Sequence, residues 1–306
     1  MKKEYFTIEK DGFYGIYFEN SKPCDKAIIL MLGKDANGAL AIGGAKWMLE
    51  QGCNVMTMSP AQKDYGHHSY PLERIEKAIT YLKKRGNHKI GIGGASATGM
   101  VALVAASYFT DITLTCAWCP CDFVMEGFYQ DGLDGAHERP GDDESSLTFK
   151  GEQLSFLRYA YRHPEYWQMI KKESKETGNR IASREMFEES ERRFPLQEEA
   201  KIKVENIKGK LILVGAEDDA LWNTCKYIRR MVERLENLPH DCEYEAWTYE
   251  KGTHFVFPQG MLKKILPIGV GLLVSFMFKA GRQHKNECKQ TRLDIDKRLT
   301  KVFTEW

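Results

Sequence analysis

Lys89-Ile90-Gly91-Ile92-Gly93-Gly94-Ala95-Ser96-Ala97-Thr98-Gly99 is the stretch on which the reading of this chain turns. A short strand, Lys89 to Gly93, enters a turn of small residues, and an apolar helix, Ala97 to Ser107, follows directly. A serine at such a turn sits in a strained backbone conformation with its hydroxyl at the carboxyl edge of a sheet, and small neighbours let the turn close. Gly94 and Ala95 suit that role. Thr98 departs from the G-x-S-x-G pattern, because a β-branched residue stands where glycine avoids crowding, and Gly99 comes one place late. Two plainer readings compete. The turn could be a tight connection and nothing more, or Gly91-x-Gly93-x-x-Ser96 could be a degenerate dinucleotide fingerprint. The second lacks its third glycine, and the next strand ends Cys116-Ala117-Trp118 without the acid that would bind a ribose.

Outward from this turn, strand and helix alternate. Phe6 and Ile8, then Phe13 to Phe18, predict an N-terminal hairpin. Ala27 to Leu32 predicts a strand covered on both faces; a loop, Gly33 to Gly38, leads to a helix ending near Gly52, and Asn54 to Met58 is a further strand. Pro71 opens a helix with Leu72, Ile75, Ile79 and Leu82 on one face. Downstream, strands are expected at Ile112 to Ala117, Lys210 to Val214 and Glu243 to Tyr249, with a helix bearing Ile228, Met231 and Leu235 between the last two. A C-terminal helix with Leu293, Ile295, Leu299 and Val302 should dock on the sheet. The pattern predicts an α/β fold, a mostly parallel sheet with right-handed crossovers and helices on both faces. Between Pro120 and Ile207 no strand pattern is visible, and the segment is rich in aromatic, charged and glycine residues. It reads as an inserted cap, 120–207, within a single domain of 1–306, its aromatic residues suiting either an acyl pocket or the cap's own core.

Composition narrows the function. With 44 Lys and Arg against 43 Asp and Glu, no basic excess exists to displace counterions from a nucleic acid. The N-terminal MKKEYFTIEKDG lacks the apolar stretch of a secretory signal, so a cytoplasmic protein with eight reduced cysteines is expected. Ile265 to Phe278 falls short of the roughly 20 residues that span a bilayer and contains Pro267, Gly269 and Gly271, so it reads as a buried helix with no membrane span. Cys116, Cys119 and Cys121 have no second pair at zinc-ligand spacing and read as core packing; His67-His68 reads as a surface loop.

Two further elements share the placement of Ser96. Val214-Gly215-Ala216-Glu217-Asp218-Asp219 puts carboxylates after a strand, where one could orient a histidine or cap the next helix. Gly252-Thr253-His254 follows another strand, and an imidazole, with an unperturbed pKa of about 6.5, can take a serine proton and return it to a leaving group. Serine, acid and histidine occur in the chain order of α/β-hydrolase connectivity, which makes Ser96, Asp219 and His254 the candidate triad. The oxyanion hole would use the backbone amides of Ala97 and Lys34.

Ile202 to Gly209, Leu211 to Val214, Asp218-Asp219-Ala220-Leu221-Trp222, and Gly252-Thr253-His254 with Pro258 resemble the catalytic domain of acyl-CoA thioesterases and bile acid-CoA:amino acid N-acyltransferases, from about residue 26 to the C-terminus. Matching the D-x-x-W spacing of that family places the acid at Asp219, with Asp218 as the alternative. The resemblance implies attack on an acyl thioester, and a serine nucleophile implies hydrolysis more readily than amidation. The expected partner is therefore a small-molecule acyl substrate, without metal or nucleotide cofactor, and self-association into a homo-oligomer is left open. Transfer to an amine, or a non-catalytic binding protein on a hydrolase fold, are the competing readings.

Overall fold

A computed structural model describes residues 2–33, 35–59, 67–129 and 139–306. Eight strands make one sheet: β1 (Lys3–Phe6), β2 (Gly15–Phe18), β3 (Lys26–Met31), β4 (Asn54–Met58), β5 (Lys89–Ala95), β6 (Ile112–Trp118), β7 (Lys210–Ala216) and β8 (Glu243–Tyr249). Their spatial order is β1-β2-β4-β3-β5-β6-β7-β8. The first two join antiparallel, β2 meets β4 antiparallel, and every later pairing is parallel. The predicted hairpin is present, but Ile8 belongs to a helical turn, Ile8–Asp11, because Thr7 accepts from Lys10 N and caps it.

The expected helices are present: α1 (Ala39–Glu50), α2 (Glu73–Lys84), α3 (Ala97–Tyr108), and, beyond residue 207, α6 (Thr224–Asn237) and α9 (Lys285–Glu305). Pro71, expected to open α2, instead lies two residues before it and pairs with Thr148. Alternation along each strand splits the core in two. Ile29, Met31, Ile92 and Leu213 face α2, α3 and α6, while Ile28, Leu30, Leu114, Val214 and their neighbours face Trp47 and Met48 of α1 and Ile295, Leu299 and Phe303 of α9. Each such buried aliphatic contributes about 1.5–3 kcal/mol over leaving it in water. Leu293 of α9, expected to pack, is 39% exposed because it falls on the outer face of that helix.

Two expectations are corrected. The segment 120–207 holds strands as well as helices α4 (Glu165–Thr177) and α5 (Arg184–Arg193). Glu126–Tyr129 pairs antiparallel with Arg139–Ser145, and Leu147–Phe149 pairs with Glu152–Gln153 and, in parallel, with Tyr70–Pro71. Arg-Pro-Gly-Asp-Asp-Glu-Ser has no apolar alternation to betray a strand. The hairpin is organised from inside by the fully buried Glu126 carboxylate, which accepts from Asp143 N, Tyr159 N and Arg162. Burial pushes the Glu126 carboxyl above its ordinary range, and those donors oppose the rise.

Second, Ile265 to Phe278 is not one buried helix. It lies in α7 (Gln259–Ile265) and α8 (Val270–Met277), bent by 94° at a break where Pro267 removes an amide donor and Gly269 adopts φ +98°. Ile268 and Leu272 are exposed. Among the described residues no single helix is long and apolar enough to cross a membrane.

The segment 120–207 is tied to the sheet by charge as well as packing. Arg230 of α6 donates to both oxygens of Asp122, just beyond β6, and to Glu191 of α5 at 2.6 Å. Arg230→Ala leaves the buried Asp122 carboxylate without its partner, while Glu191 keeps Lys226 at 3.0 Å, and is expected to lower stability by about 3 kcal/mol, read from urea unfolding of the native and variant chains.

Candidate active site

Ser96 terminates β5 with φ +59° and ψ −130°, a conformation L-residues adopt at a cost of about 1–3 kcal/mol. Its amide donates to Trp118 O at 2.8 Å, and its carbonyl accepts from Gly99 N and Met100 N at the start of α3. A serine in this place could spend its hydroxyl on capping the helix; it makes no such bond, so the Oγ is left for other work. Gly94 is obligatory, since a Cβ there would lie 2.1 Å from Thr98 O.

Thr98, which breaks the expected pattern, is part of what holds the turn. Its buried Oγ1 accepts from Ala95 N at 3.0 Å and lies 2.6 Å from Met31 O and 2.8 Å from Ala95 O, either of which can take its single proton. The hydroxyl thus stitches the turn to the end of β3, a job the absent glycine could not do. The Ala97 amide stands in the first turn of α3, where helical N–H groups have no intrahelical acceptor. Lys34, the other expected oxyanion donor, lies outside the described residues.

Asp219 and His254 meet at the ends of β7 and β8. His254 Nδ1 is 2.8 Å from Asp219 Oδ2 and 3.0 Å from Oδ1, with the carboxylate also accepting from Leu221 N at 2.9 Å and Thr224 Oγ1 at 2.5 Å. Capping falls instead to Asn223, which accepts from Lys226 N at the start of α6. With Nδ1–H committed to the carboxylate, the neutral ring presents Nε2 as a bare lone pair. That atom is buried and makes no hydrogen bond among the described residues. Ser96 Oγ and His254 Nε2 are therefore not joined by a hydrogen bond here, as is common in unliganded sites, where such bonds tighten only around a substrate.

Asp218 has a different duty. Its Oδ1 accepts from Gly252 N at 3.0 Å and Thr253 N at 2.7 Å, clamping the turn in which Thr253 takes φ +60° and delivers His254. Burial raises the Asp218 carboxyl above its usual range, and the two amides pull it back.

Cys119, expected as core filling, is buried but occupies a junction. Immediately after β6 it turns at φ +47°, its N donates to Val214 O, its Sγ donates to His254 O at 3.3 Å, and its O accepts from Trp222 Nε1 at 3.0 Å. Trp222 sets its ring edge-on to His254, 5.3 Å between centroids, and to Phe187 of α5, 5.2 Å. The Cys119 sulfur, a carboxylate oxygen of Asp219 and a nitrogen of His254 lie within 4.8 Å of one another. His254 Nδ1 and Asp219 are already spent on each other, and burial, reinforced by Asp219, pushes the Cys119 thiol well above its ordinary pKa. That donor set is a neutral thiol beside a bonded acid–imidazole pair, poorly prepared for a cation.

The segment 120–207 reaches the same loop. Ser183 N and Arg184 N donate to Ala220 O, Ser183 Oγ to Leu221 O at 2.8 Å, and Arg184 NH1 to Glu217 O at 2.9 Å and Asp219 O at 3.3 Å. Nothing in the sequence marks Ser183-Arg184. Trp222 was visible as the end of D-D-x-x-W, and Cys119 could have been suspected from its place beyond a strand end. His67 and His68 lie against the 126–145 hairpin instead: His67 packs on Phe128, where burial draws its pKa down to about 4, and His68 pairs with Glu144.

Thr98→Val keeps the branched shape but strands the Ala95 amide and removes the bond to β3. It is expected to cost about 1–3 kcal/mol, measured by thermal or denaturant unfolding.

The sheet order, the serine turn at the end of β5 and the acid and histidine beyond β7 and β8 make this an α/β-hydrolase fold. Among curated proteins no sequence relative is found. Among solved structures, the α/β hydrolase MGS-M1 from a Medee basin deep-sea metagenome library is similar at 15% identity and TM-score 0.48, covering 100% of this chain and 99% of that one. Est1E from Butyrivibrio proteoclasticus has 13% identity and TM-score 0.44, covering 83% and 90%. The carboxylesterase Cest-2923 from Lactobacillus plantarum has 11% identity and TM-score 0.45, covering 84% and 86%. The family described as BAAT / Acyl-CoA thioester hydrolase C terminal matches residues 70–259. That match takes in more than half of the chain and both the serine turn and the acid and histidine loops, and the protein belongs to this family.

Proposed function

We propose that the protein is a serine hydrolase that cleaves an acyl thioester or carboxylic ester through an acyl-enzyme, with Ser96 as nucleophile, His254 as base and Asp219 as its orienting acid. The observation that carries this reading is the buried bond from His254 Nδ1 to Asp219, beside a serine whose hydroxyl is not used as a helix cap. Ser96 Oγ attacks the acyl carbon as its proton passes to His254 Nε2, and the negative charge on the acyl oxygen is met by the Ala97 amide. Collapse breaks the bond to sulfur or oxygen, and the departing thiolate or alkoxide takes the proton from His254. Water then attacks the acyl-serine with His254 again as base, and the acid leaves with Ser96 restored. The imidazolium formed in each half is stabilised by the Asp219 carboxylate beside it.

The acyl thioester is favoured as substrate by the family description. In the same reading 120–207 is a cap belonging to the one domain, supported by its aromatic residues joining the sheet's core and by the Ser183-Arg184 contacts to the acid loop. None of the eight cysteines is paired, which fits a reducing, cytoplasmic setting.

Treatment with a fluorophosphonate tests the nucleophile without a guess about substrate. One adduct is expected on the native chain by intact mass, and none on Ser96→Ala or His254→Ala; an unlabelled native chain would remove the catalytic reading. The two aspartates should separate by rate: Asp219→Asn is expected to slow labelling by about 10³–10⁴-fold. Asp218→Asn keeps an acceptor oxygen for the 252–253 amides and should cost about tenfold or less. Addition of glycine or taurine to a thioester assay is expected to leave turnover unchanged, and an N-acyl product would move the assignment to a transferase.

A further inference from the structure

Ile268, Leu272 and Phe276 are 88%, 75% and 59% exposed, and their spacing of four residues sets them in one row along α8 and the break before it. Water gains nothing from such a row, and isolated exposed apolar residues do not line up in this way by packing alone. The sequence on either side is equally one-sided between Glu250 and Glu287. From Lys251 to Asn286 the chain contains no aspartate or glutamate, while it carries Lys251, Lys263, Lys264, Lys279, Arg282 and Lys285. Lys264 reaches Glu50, but Lys263, Lys279, Arg282 and Lys285 are exposed and form no ion pair among the described residues. Arg180, brought in from the insertion, lies with its guanidinium 5.2 Å from the Phe276 ring centre, and its backbone N donates to Met277 O. For a chain with net charge +1 this is a local concentration of positive charge around an apolar stripe.

We propose that this face, α8 with the preceding 266–269 break, is a docking surface for a bilayer bearing anionic phospholipid. An apolar row at the depth of the acyl chains with lysines and arginines at the level of the phosphates is the arrangement by which a surface helix binds such a membrane. With eight residues α8 is too short to span a bilayer by itself, and it meets α7, which carries the buried Met261 and Leu262, at 94°, so the element is placed in the interface. Charge also selects against a second copy of this chain as the occupant. A two-fold contact would set the same unpaired lysines against one another around the apolar row. Phe278, which ends α8, lies 5.7 Å between ring centres from Phe255, the neighbour of His254, so docking here would hold the His254 turn near the lipid.

The test is flotation of the full chain with vesicles of phosphatidylcholine alone or mixed with phosphatidylglycerol. The native chain is expected to float with the mixed vesicles, not with phosphatidylcholine alone, and to be released as salt screens the lysines. Ile268→Ser/Leu272→Ser/Phe276→Ser and, separately, Lys263→Glu/Lys279→Glu/Lys285→Glu should each lower the partition at least about tenfold. All six side chains are exposed, so both variants should melt with the native chain and remain interpretable. A native chain that stays at the bottom of the gradient with phosphatidylglycerol vesicles overturns the proposal, as does an apolar-row variant that floats as well as the native. So does a native dimer in analytical ultracentrifugation that the apolar-row variant converts to monomer without any lipid partition, which assigns the face to self-association. Ser96 takes no part in flotation, so this result and the labelling of Ser96 succeed or fail separately.

Discussion

The acid–histidine bond depends on the parallel register of β7 and β8, in which Ala216 lies opposite Tyr249 and Glu217 N closes the ladder on Tyr249 O. Beyond that rung the two strands give way to loops, and two adjacent carboxylates divide the work of joining them. Asp218 takes the backbone of the 252–253 turn, and Asp219 takes the imidazole that the turn presents. A slip of one residue would move a strand end by about 3.3 Å, more than a hydrogen bond tolerates, and turn its side chains to the other face. Registry of the sheet is therefore set by the same bonds that set the geometry of the site.

The main sheet was legible because its strands are short, apolar and separated by helices of clear period; Asn54–Met58 and Glu243–Tyr249 match the expected limits. The triad candidates were legible because each stands directly after such a strand. What sequence could not supply was the sign of a local irregularity. Thr98 read as a steric fault, since β-branching says where a side chain is bulky and not where its hydroxyl finds partners; two carbonyls and an amide within reach make it a brace. The 120–207 strands were hidden for the opposite reason. The pairing of Glu126–Tyr129 with Arg139–Ser145 is organised by a buried carboxylate and arginine, and polar residues carry no period, while Leu147–Phe149 is too short to show one. The stretch from Ile265 to Phe278 was read by its hydropathy as interior, although Pro267 and Gly269 turn part of it outward.

Cys119 and Trp222 have no chemistry to perform in the proposed reaction, yet they account for the stiffness of its base. The histidine ring has the Asp219 carboxylate on one nitrogen and the Trp222 edge across its plane, while its own carbonyl is held by the Cys119 thiol. Three loops, after β6, β7 and β8, converge there, so freedom in any one is limited by the other two.

The hydrogen bonds from Ser183 and Arg184 to the carbonyls of Glu217, Asp219, Ala220 and Leu221 are made to main chain, and they ask nothing of the side chains they hold. The acid loop can vary in sequence without breaking them; on the other side the two amide bonds to Ala220 O are equally independent of sequence, and those from Ser183 Oγ and Arg184 NH1 need these two side chains. Chimaeras that swap 120–207 between relatives will thus inherit part of the acid loop's footing from the donor, and a graft boundary drawn after residue 184 would preserve it where one drawn at a strand end would not.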